Sequence, residues 1–200
     1  VVWGIGTPRT MRVHWALHEL EVNYETRPIK TRTADMDALE FLAISPGKKI
    51  PAFEYGSVKM VESGAIVFYL YSSYAAIGKS IEEFAQISRW SSFALTELDA
   101  TALYVLRRHR DLPAIYGDAP GAVQAAKEYF ARQIDVVNTE LSDGRRYIVG
   151  DDFSPADIML VTCCDWAVAY ELPLPTIVSK YHQSLAEMDS YLAARQANFP

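Results

Sequence analysis

The chain has 200 residues, half of them hydrophobic and 22% charged, which supplies apolar material for one substantial core or two small ones. Nineteen basic residues against 25 acidic ones leave a net charge of −6, and this argues against a nucleic-acid partner, because neutralising phosphates needs a basic face. No apolar run approaches the roughly 20 residues of a membrane span and no basic-then-apolar leader opens the chain, so a cytoplasmic protein without membrane contact is expected.

The first 75 or so residues mix short strands with helices. VVWGIG, residues 1–6, is an apolar run ending in glycine, and NYETRPI, residues 23–29, alternates with its apolar side at Tyr24 and Ile29; both read as strands. Between them MRVHWALHEL places Val13, Ala16, Leu17 and Leu20 on one face of a helix. Strand, helix and strand of this length predict a right-handed crossover and a parallel pair. DMDALEFLAI, residues 35–44, predicts a second helix stopped by Ser45-Pro46-Gly47. KIPAFE and SVKMV predict a hairpin about the Tyr55-Gly56 turn, and ESGAIVFYLYSSYA a closing helix that is apolar almost all round from Ile66 to Leu70.

From Ser80 onward the pattern is helical. Ile87, Trp90, Ala94 and Leu98 mark one helix; Val123, Ala126, Phe130, Ile134, Val137 and Leu141 mark another, with DLPAIYGDAPG as the loop between them. In FSPADI, residues 153–158, Ser154 is an N-cap, Pro155 suits the first helical position, Asp157 completes an acidic capping box, and Phe153 and Ile158 form a hydrophobic staple. The only cysteines, Cys163 and Cys164, are adjacent in the apolar helix that follows, so they read as buried small hydrophobes and exclude a disulfide scaffold. The fold class expected is an α/β first domain, βαβαββα with a mixed four-stranded sheet, over residues 1–75, a linker over 76–82, and an all-helical domain over 83–200.

Several residues in the first domain are candidates for chemistry. Gly6-Thr7-Pro8 reads as turn, N-cap and first helical residue, which points a hydroxyl and the positive end of a helix dipole the same way. Pro51 sits at the start of a strand, where it has no N–H to donate, directly after Lys48, Lys49 and Ile50. Glu62 and Ser63 stand where a strand ends and a helix begins, a place suited to a ligand carboxylate. His14 and His18 are four apart with Glu21 following, but Trp15 stands where an H-E-x-x-H helix has its glutamate, so they read as solvated or packed side chains and no metal is expected. Arg107-Arg108-His109-Arg110 ends a long helix, where positive charge complements the dipole, and Arg12 reads as structural.

TPRTMRV in the first turn, KKIPAF before the hairpin, VESGAI opening the third helix and the capping box at FSPAD occur in an order and spacing that resembles the cytosolic glutathione transferases, in particular bacterial-type members with a serine- or threonine-like active-site group rather than a cysteine. The resemblance covers nearly the whole chain. It implies a thioredoxin-like first domain and an all-helical second one, with glutathione as co-substrate, a small hydrophobic electrophile as second substrate, and a homodimer. It implies a cis Pro51 that turns the Ile50 backbone outward to pair with the cysteinyl backbone of glutathione, a short β-addition. By the same resemblance Ser63 holds the γ-glutamyl carboxylate, Glu62 takes the ammonium, and Lys49, or Lys48 as second choice, meets the glycine carboxylate. Thr7 falls where the family has the activating residue, with Arg9 and Thr10 as alternatives, and Tyr104, Arg107 and Trp166 border the electrophile pocket. A thiol of pKa near 8.5 is only about 3% thiolate at neutral pH, and lowering it by about two units takes roughly 2.7 kcal/mol. One hydroxyl and a helix dipole are of the right size to supply that. The absence of cysteine from Thr7-Pro8-Arg9-Thr10 argues against disulfide exchange through an enzyme thiol. The rival reading from another class is a non-catalytic glutathione-binding or protein-interaction module of the same fold.

Overall fold

The computed structural model describes residues 1–200, and in it the first strand is short: β1 is Val2–Trp3, both buried. α1 (Pro8–Glu19) starts on the Thr7 cap with Pro8 in its first turn, as Gly6-Thr7-Pro8 predicts. Val13, Ala16 and Leu17 are buried, and Leu20 caps the helix half-buried. β2 is only Thr26–Arg27; it pairs in parallel with β1, Val2 opposite Thr26 and Trp3 opposite Arg27, which completes the expected crossover unit. Tyr24 and Ile29 lie outside this strand on either side rather than along one face of a longer one. Pro28 has no N–H with which to extend the ladder, and the Tyr24 hydroxyl bonds to histidines of α1.

The helix expected over residues 35–44 is broken. A 3₁₀ turn at Ala34–Asp37 is separated from the single turn α2 (Leu39–Leu42) by Ala38, whose ψ of 131° is extended. Burial explains the break: Met36, Phe41 and Ile44 all pack with Trp3, Ile29, Ile50 and Ala52 in one cluster, which a straight helix would not bring together against so short a sheet. β3 (Ala52–Tyr55) and β4 (Val58–Val61) form the hairpin, with Ala52 opposite Val61 and Tyr55 opposite Val58. β3 runs antiparallel to β1, so the sheet order is β2-β1-β3-β4. α3 (Ser63–Tyr74) follows, and buries Ile66, Val67, Leu70 and Tyr71.

Val1–Lys79 together with Ala186–Pro200 form one unit and Ser80–Leu185 the other. The sequence reading had assigned residues 186–200 to the helical domain. Their helix, α10 (Asp189–Asn198), packs instead on α1: Trp15 meets the Tyr191 ring edge-on at 5.0 Å and donates its indole N–H to Ser190. Those residues have no local signature that says which unit they serve.

In the second unit α4 (Ile81–Phe93) is capped by Ser80, which accepts the Glu83 N–H. It runs on as wider π-helical turns over Ala94–Leu103, one α-turn, α5 (Tyr104–Leu106), and a further π turn over Arg107–Asp111. Ile87, Trp90, Ala94 and Leu98 are all buried, as their spacing predicts. The expected loop carries one short helix, α6 (Pro113–Tyr116), before α7 (Pro120–Glu140), whose Ala126, Phe130, Ile134 and Val137 are buried. α8 (Pro155–Ala169) and α9 (Thr176–Ala186) complete the unit, and no helix of the chain is long and apolar enough to cross a membrane. Cys163 and Cys164 are buried on α8 and are not joined in a disulfide.

The Ser154 capping box forms, and goes further than its sequence indicates. Asp157 accepts from the Ser154 N–H and O–H, each at 2.9 Å, from the Ile148 N–H at 2.9 Å, and from the Tyr181 hydroxyl at 2.7 Å. One buried carboxylate therefore ties the loop before α8 and the middle of α9 to the start of α8. Burial pushes its pKa up to about 6, against the pull of these donors.

Candidate functional site

Topology brings three chain segments to one end of the sheet. β1 ends at Trp3, β3 begins at Ala52 and runs opposite to β1, and β4 ends at Val61 and runs opposite to β3. The β1–α1 turn, the Ile50–Pro51 step and the Glu62–Ser63 corner therefore share an edge. Two contacts tie them further. Gly4, at φ +115°, has no side chain where one would lie 2.5 Å from the Ile50 Cβ. From α1, the Arg12 guanidinium donates to the Ser63 hydroxyl at 3.2 Å.

The turn before α1 is closed by a reciprocal pair. The Thr7 Oγ1 accepts the Thr10 N–H at 3.0 Å, and the Thr10 Oγ1 accepts the Thr7 N–H at 3.0 Å, a capping box built from two threonines. Thr10 is fully buried, whereas Thr7 is 7% exposed and Arg9 half-buried. Of the two residues, only Thr7 has any surface open to solvent.

The Ile50–Pro51 peptide is cis. No intrachain hydrogen bond engages the Ile50 N–H or C=O. The residues before it are held by Ser45, whose hydroxyl donates to the Lys49 carbonyl at 2.8 Å and accepts the Lys49 N–H at 3.0 Å. Lys48 pairs with Asp37, while the exposed Lys49 has no acidic partner.

At the third segment Glu62 has φ 72° and ψ 106°, a conformation costly for a residue with a Cβ, and caps α3 without a side-chain hydrogen bond. Ser63 becomes the first helical residue rather than the cap. Arg12 behind it is fully buried. Its guanidinium, donating to the Ser63 hydroxyl, lies beside the free N–H groups of the α3 N-terminus. Its burial within the run from Met11 to Leu17 agrees with the structural part expected of Arg12, and its bond to Ser63 adds a place behind the α3 N-terminus.

His14 and His18 are joined through Tyr24 rather than arranged around a metal. Fully buried His14 bonds through Nε2 to the Gly4 carbonyl at 3.1 Å, which makes that nitrogen the donor, so its Nδ1 accepts from the Tyr24 hydroxyl at 2.8 Å. The His18 Nε2 lies 3.2 Å from the same hydroxyl. Burial holds both imidazoles below their usual pKa and, as the main cause, pushes Tyr24 up to about 12. No group of three or more His, Cys, Asp or Glu is arranged to hold a metal ion.

In the second unit Arg108 stacks on the Tyr104 ring at 4.6 Å and on Tyr116 at 5.1 Å. Arg107 is half-buried. Trp166 is 5% exposed and packs edge-on to Tyr170, so little of its indole is open to a ligand.

A strand edge free to pair, a helix N-terminus backed by a buried cation, and a capping hydroxyl are parts that suit a small anionic peptide. Residues 1–72 match the model of the glutathione S-transferase N-terminal domain, and residues 120–183 that of its C-terminal domain. The chain belongs to the glutathione S-transferase family. Among curated family members, a glutathione S-transferase of Hyoscyamus muticus is 29% identical over 160 residues, spanning 76% of this chain and 74% of that protein. The similarity extends to elongation factor 1-gamma 2 of Oryza sativa subsp. japonica, 34% identical over 128 residues, 62% of this chain but only 29% of that protein. Among solved structures, a glutathione transferase family member from Pseudomonas fluorescens, with two glutathione bound, superposes with a TM-score of 0.83 at 21% identity, covering 96% of this chain and 90% of that one. The thioredoxin-like first domain and helical second domain are thus those of the glutathione transferase fold.

Proposed function

We propose that this chain is a glutathione transferase of the hydroxyl type, which binds glutathione in its first unit and holds the sulfur as thiolate for attack on an electrophilic carbon. The Glu62–Ser63 corner carries the reading. An exposed acid held at positive φ is unfavourable for the free protein, and set beside the Ser63 hydroxyl and the free N–H groups of the α3 N-terminus it suits a ligand bearing an ammonium beside a carboxylate.

Ser63 receives the γ-glutamyl carboxylate on its N–H and hydroxyl; the Arg12 bond to the hydroxyl oxygen leaves the Ser63 proton for the ligand. Glu62 takes the ammonium. The Ile50 N–H and C=O pair with the cysteinyl residue beside Pro51, and Lys49, which has no acid of its own, meets the glycine carboxylate. Lys48, already paired with Asp37, is the weaker choice. Thr7 donates its hydroxyl proton to the sulfur, with the α1 dipole behind it. Thr10 is sealed from a ligand, and Arg9 stands second to Thr7. The second substrate is a small hydrophobic electrophile, and Tyr104 and Arg107 are better placed by exposure than Trp166 to meet it. A cytoplasmic homodimer fits the family.

The match to elongation factor 1-gamma supports a second reading, a glutathione-binding or protein-interaction module without turnover. Two measurements separate the readings: calorimetry with glutathione, then conjugation to chlorodinitrobenzene and a panel of other electrophiles. Binding with turnover supports the transferase, and binding without turnover across the panel supports the module. No heat of binding defeats the transferase and leaves only the protein-interaction form of the second reading. Thr7→Val, which keeps the shape and removes the hydroxyl, raises the pKa of the bound thiol; an unchanged thiolate titration removes Thr7 as activator.

A further inference from the structure

The segment that carries Thr7 is anchored at its start, where the Gly4 and Ile5 N–H groups donate to the Arg27 and Ile29 carbonyls at 2.9 and 3.0 Å. It contains Gly4 at φ +115° and Gly6 at φ +80°, so two of the three residues before Thr7 have no side chain to pack, and their backbone entropy favours many conformations. The Gly6–Thr7 step beyond that anchor is held from the far end of the chain. The Gly6 N–H donates to the Asn198 carbonyl at 2.8 Å and also lies 3.2 Å from the Asn198 Oδ1. The Asn198 Nδ2 donates to the Thr7 carbonyl at 3.1 Å, and the Thr10 hydroxyl donates to the Asn198 Oδ1 at 2.6 Å. Asn198 is fully buried at the last residue of α10.

These partners fix which way the amide points. A carbonyl can only accept and a backbone N–H can only donate, so Thr7 must face the NH₂ and Gly6 the oxygen. A carboxamide carries both groups on one rigid plane; aspartate, serine or alanine does not. The bond from Thr10 has a consequence for Thr7. The Thr10 hydroxyl has the Asn198 Oδ1 at 2.6 Å, the Thr7 carbonyl at 2.9 Å and the Thr7 Oγ1 at 3.0 Å within reach; the shortest contact draws its proton toward Asn198, and its oxygen accepts the Thr7 N–H, so Asn198 braces from behind the capping box that aims the Thr7 hydroxyl.

We propose that Asn198 is a positioning residue for thiol activation: through Gly6, Thr7 and Thr10 it fixes the turn at the α1 N-terminus on which the glutathione sulfur is stabilised. This rests on the transferase reading, but concerns the turn rather than the identity of the activating group. Ser190 supplies the control, because it also joins α10 to α1, through Trp15 and Glu19, without touching the turn.

The test compares Asn198→Ala and Ser190→Ala by amide hydrogen exchange of the free protein and by ultraviolet titration of the bound glutathione thiolate. Asn198→Ala is expected to speed exchange of the Gly6 to Thr10 amides. It should also raise the thiol pKa by about one unit, roughly a tenfold loss of thiolate at pH values below it. Its glutathione affinity should change by less than about threefold, since the Ser63 and Ile50 ends are untouched. Ser190→Ala should loosen α10 and leave the pKa where it was. Equal pKa shifts in the two variants overturn the proposal, as does unchanged exchange at residues 6–10 in Asn198→Ala. Because exchange is read without ligand, a protein that fails to bind glutathione defeats the transferase reading while the ordering role of Asn198 is still decided. If Thr7→Val leaves the pKa unchanged and Asn198→Ala raises it, the turn is the activator and only the role of Thr7 falls. Should Asn198→Ala not fold, Asn198→Asp serves: it keeps both acceptor bonds, loses the donor to Thr7, and is expected to raise the pKa as well; an unchanged pKa overturns the proposal.

Discussion

Gly4 offers a sharp test of how the site is assembled. A Cβ at this position would sit 2.5 Å from the Ile50 Cβ and 2.8 Å from its Cγ2, where carbon atoms in contact are about 3.5–4 Å apart. Its φ of +115° adds backbone strain to any side chain. The strain costs about 1–3 kcal/mol and the overpacking about 1–3 kcal/mol, so Gly4→Ala should lose about 2–6 kcal/mol. Gly6, at φ +80° with nothing within 4 Å, isolates the first cost; Gly6→Ala should lose only about 1–2 kcal/mol. Gly121, at the start of α7 with no close neighbour, has neither; Gly121→Ala should gain up to about 1 kcal/mol. Urea unfolding followed by tryptophan fluorescence gives the three values. Calorimetry on the folded variants adds the functional half: displacing Ile50 should weaken glutathione binding at least about tenfold, or 1.4 kcal/mol, in Gly4→Ala and leave Gly121→Ala unaffected. If Gly4→Ala is no less stable than Gly6→Ala and binds glutathione like the parent, the close approach of Gly4 to Ile50 has no part in the site.

Asp157→Asn should cost about 2–4 kcal/mol in urea unfolding, because an amide NH₂ must face one of two buried backbone N–H groups that the carboxylate now accepts; a loss below about 0.5 kcal/mol, the level of an ordinary surface change, would sink this account. Glu62→Gly relieves the positive φ and should stabilise the free protein by roughly 1 kcal/mol while weakening glutathione binding; a variant that is both less stable and equally good at binding contradicts the strain argument. His14 is held neutral in the fold, its pKa lowered from 6.5 chiefly by burial, so its contribution is present above 6.5 and lost as pH falls below it, since the unfolded chain then binds the proton first. His18, lowered for the same reason, acts in the same direction. Asp157, raised to about 6, acts the opposite way because it takes its proton in the fold first, so the histidine contribution is read as a difference: the fall of unfolding free energy with acidification below 6.5 should be smaller in His14→Gln than in the parent, and an unchanged slope in that variant shows that His14 is not the group responsible.

Short-range patterns carried much of this molecule. The Thr7-Pro8 helix start, the Ser154 capping box, the hairpin about Gly56 and the buried stripe from Ile87 to Leu98 each depend on neighbours within a few residues. The place of Pro51 before a strand and of Ser63 at a helix start could be read in the same way. The helix over residues 35–44 misled because its apolar spacing served a cluster around Trp3 and Ile50 rather than a continuous helical face.

The sequence by itself determined the two-part architecture, the capped helix starts and the residues at the sheet edge, because hydrophobic period, proline and capping chemistry act locally. Only the tertiary structure decided that Arg12 lies beneath Ser63, that Gly4 makes room for Ile50, and that Asn198 holds the turn at Thr7. Those pairs are separated by 51, 46 and 191 positions in the chain. Nothing along the backbone couples residues so far apart; a buried guanidinium, a missing Cβ and a sealed carboxamide acquire their meaning only from the groups that folding sets against them.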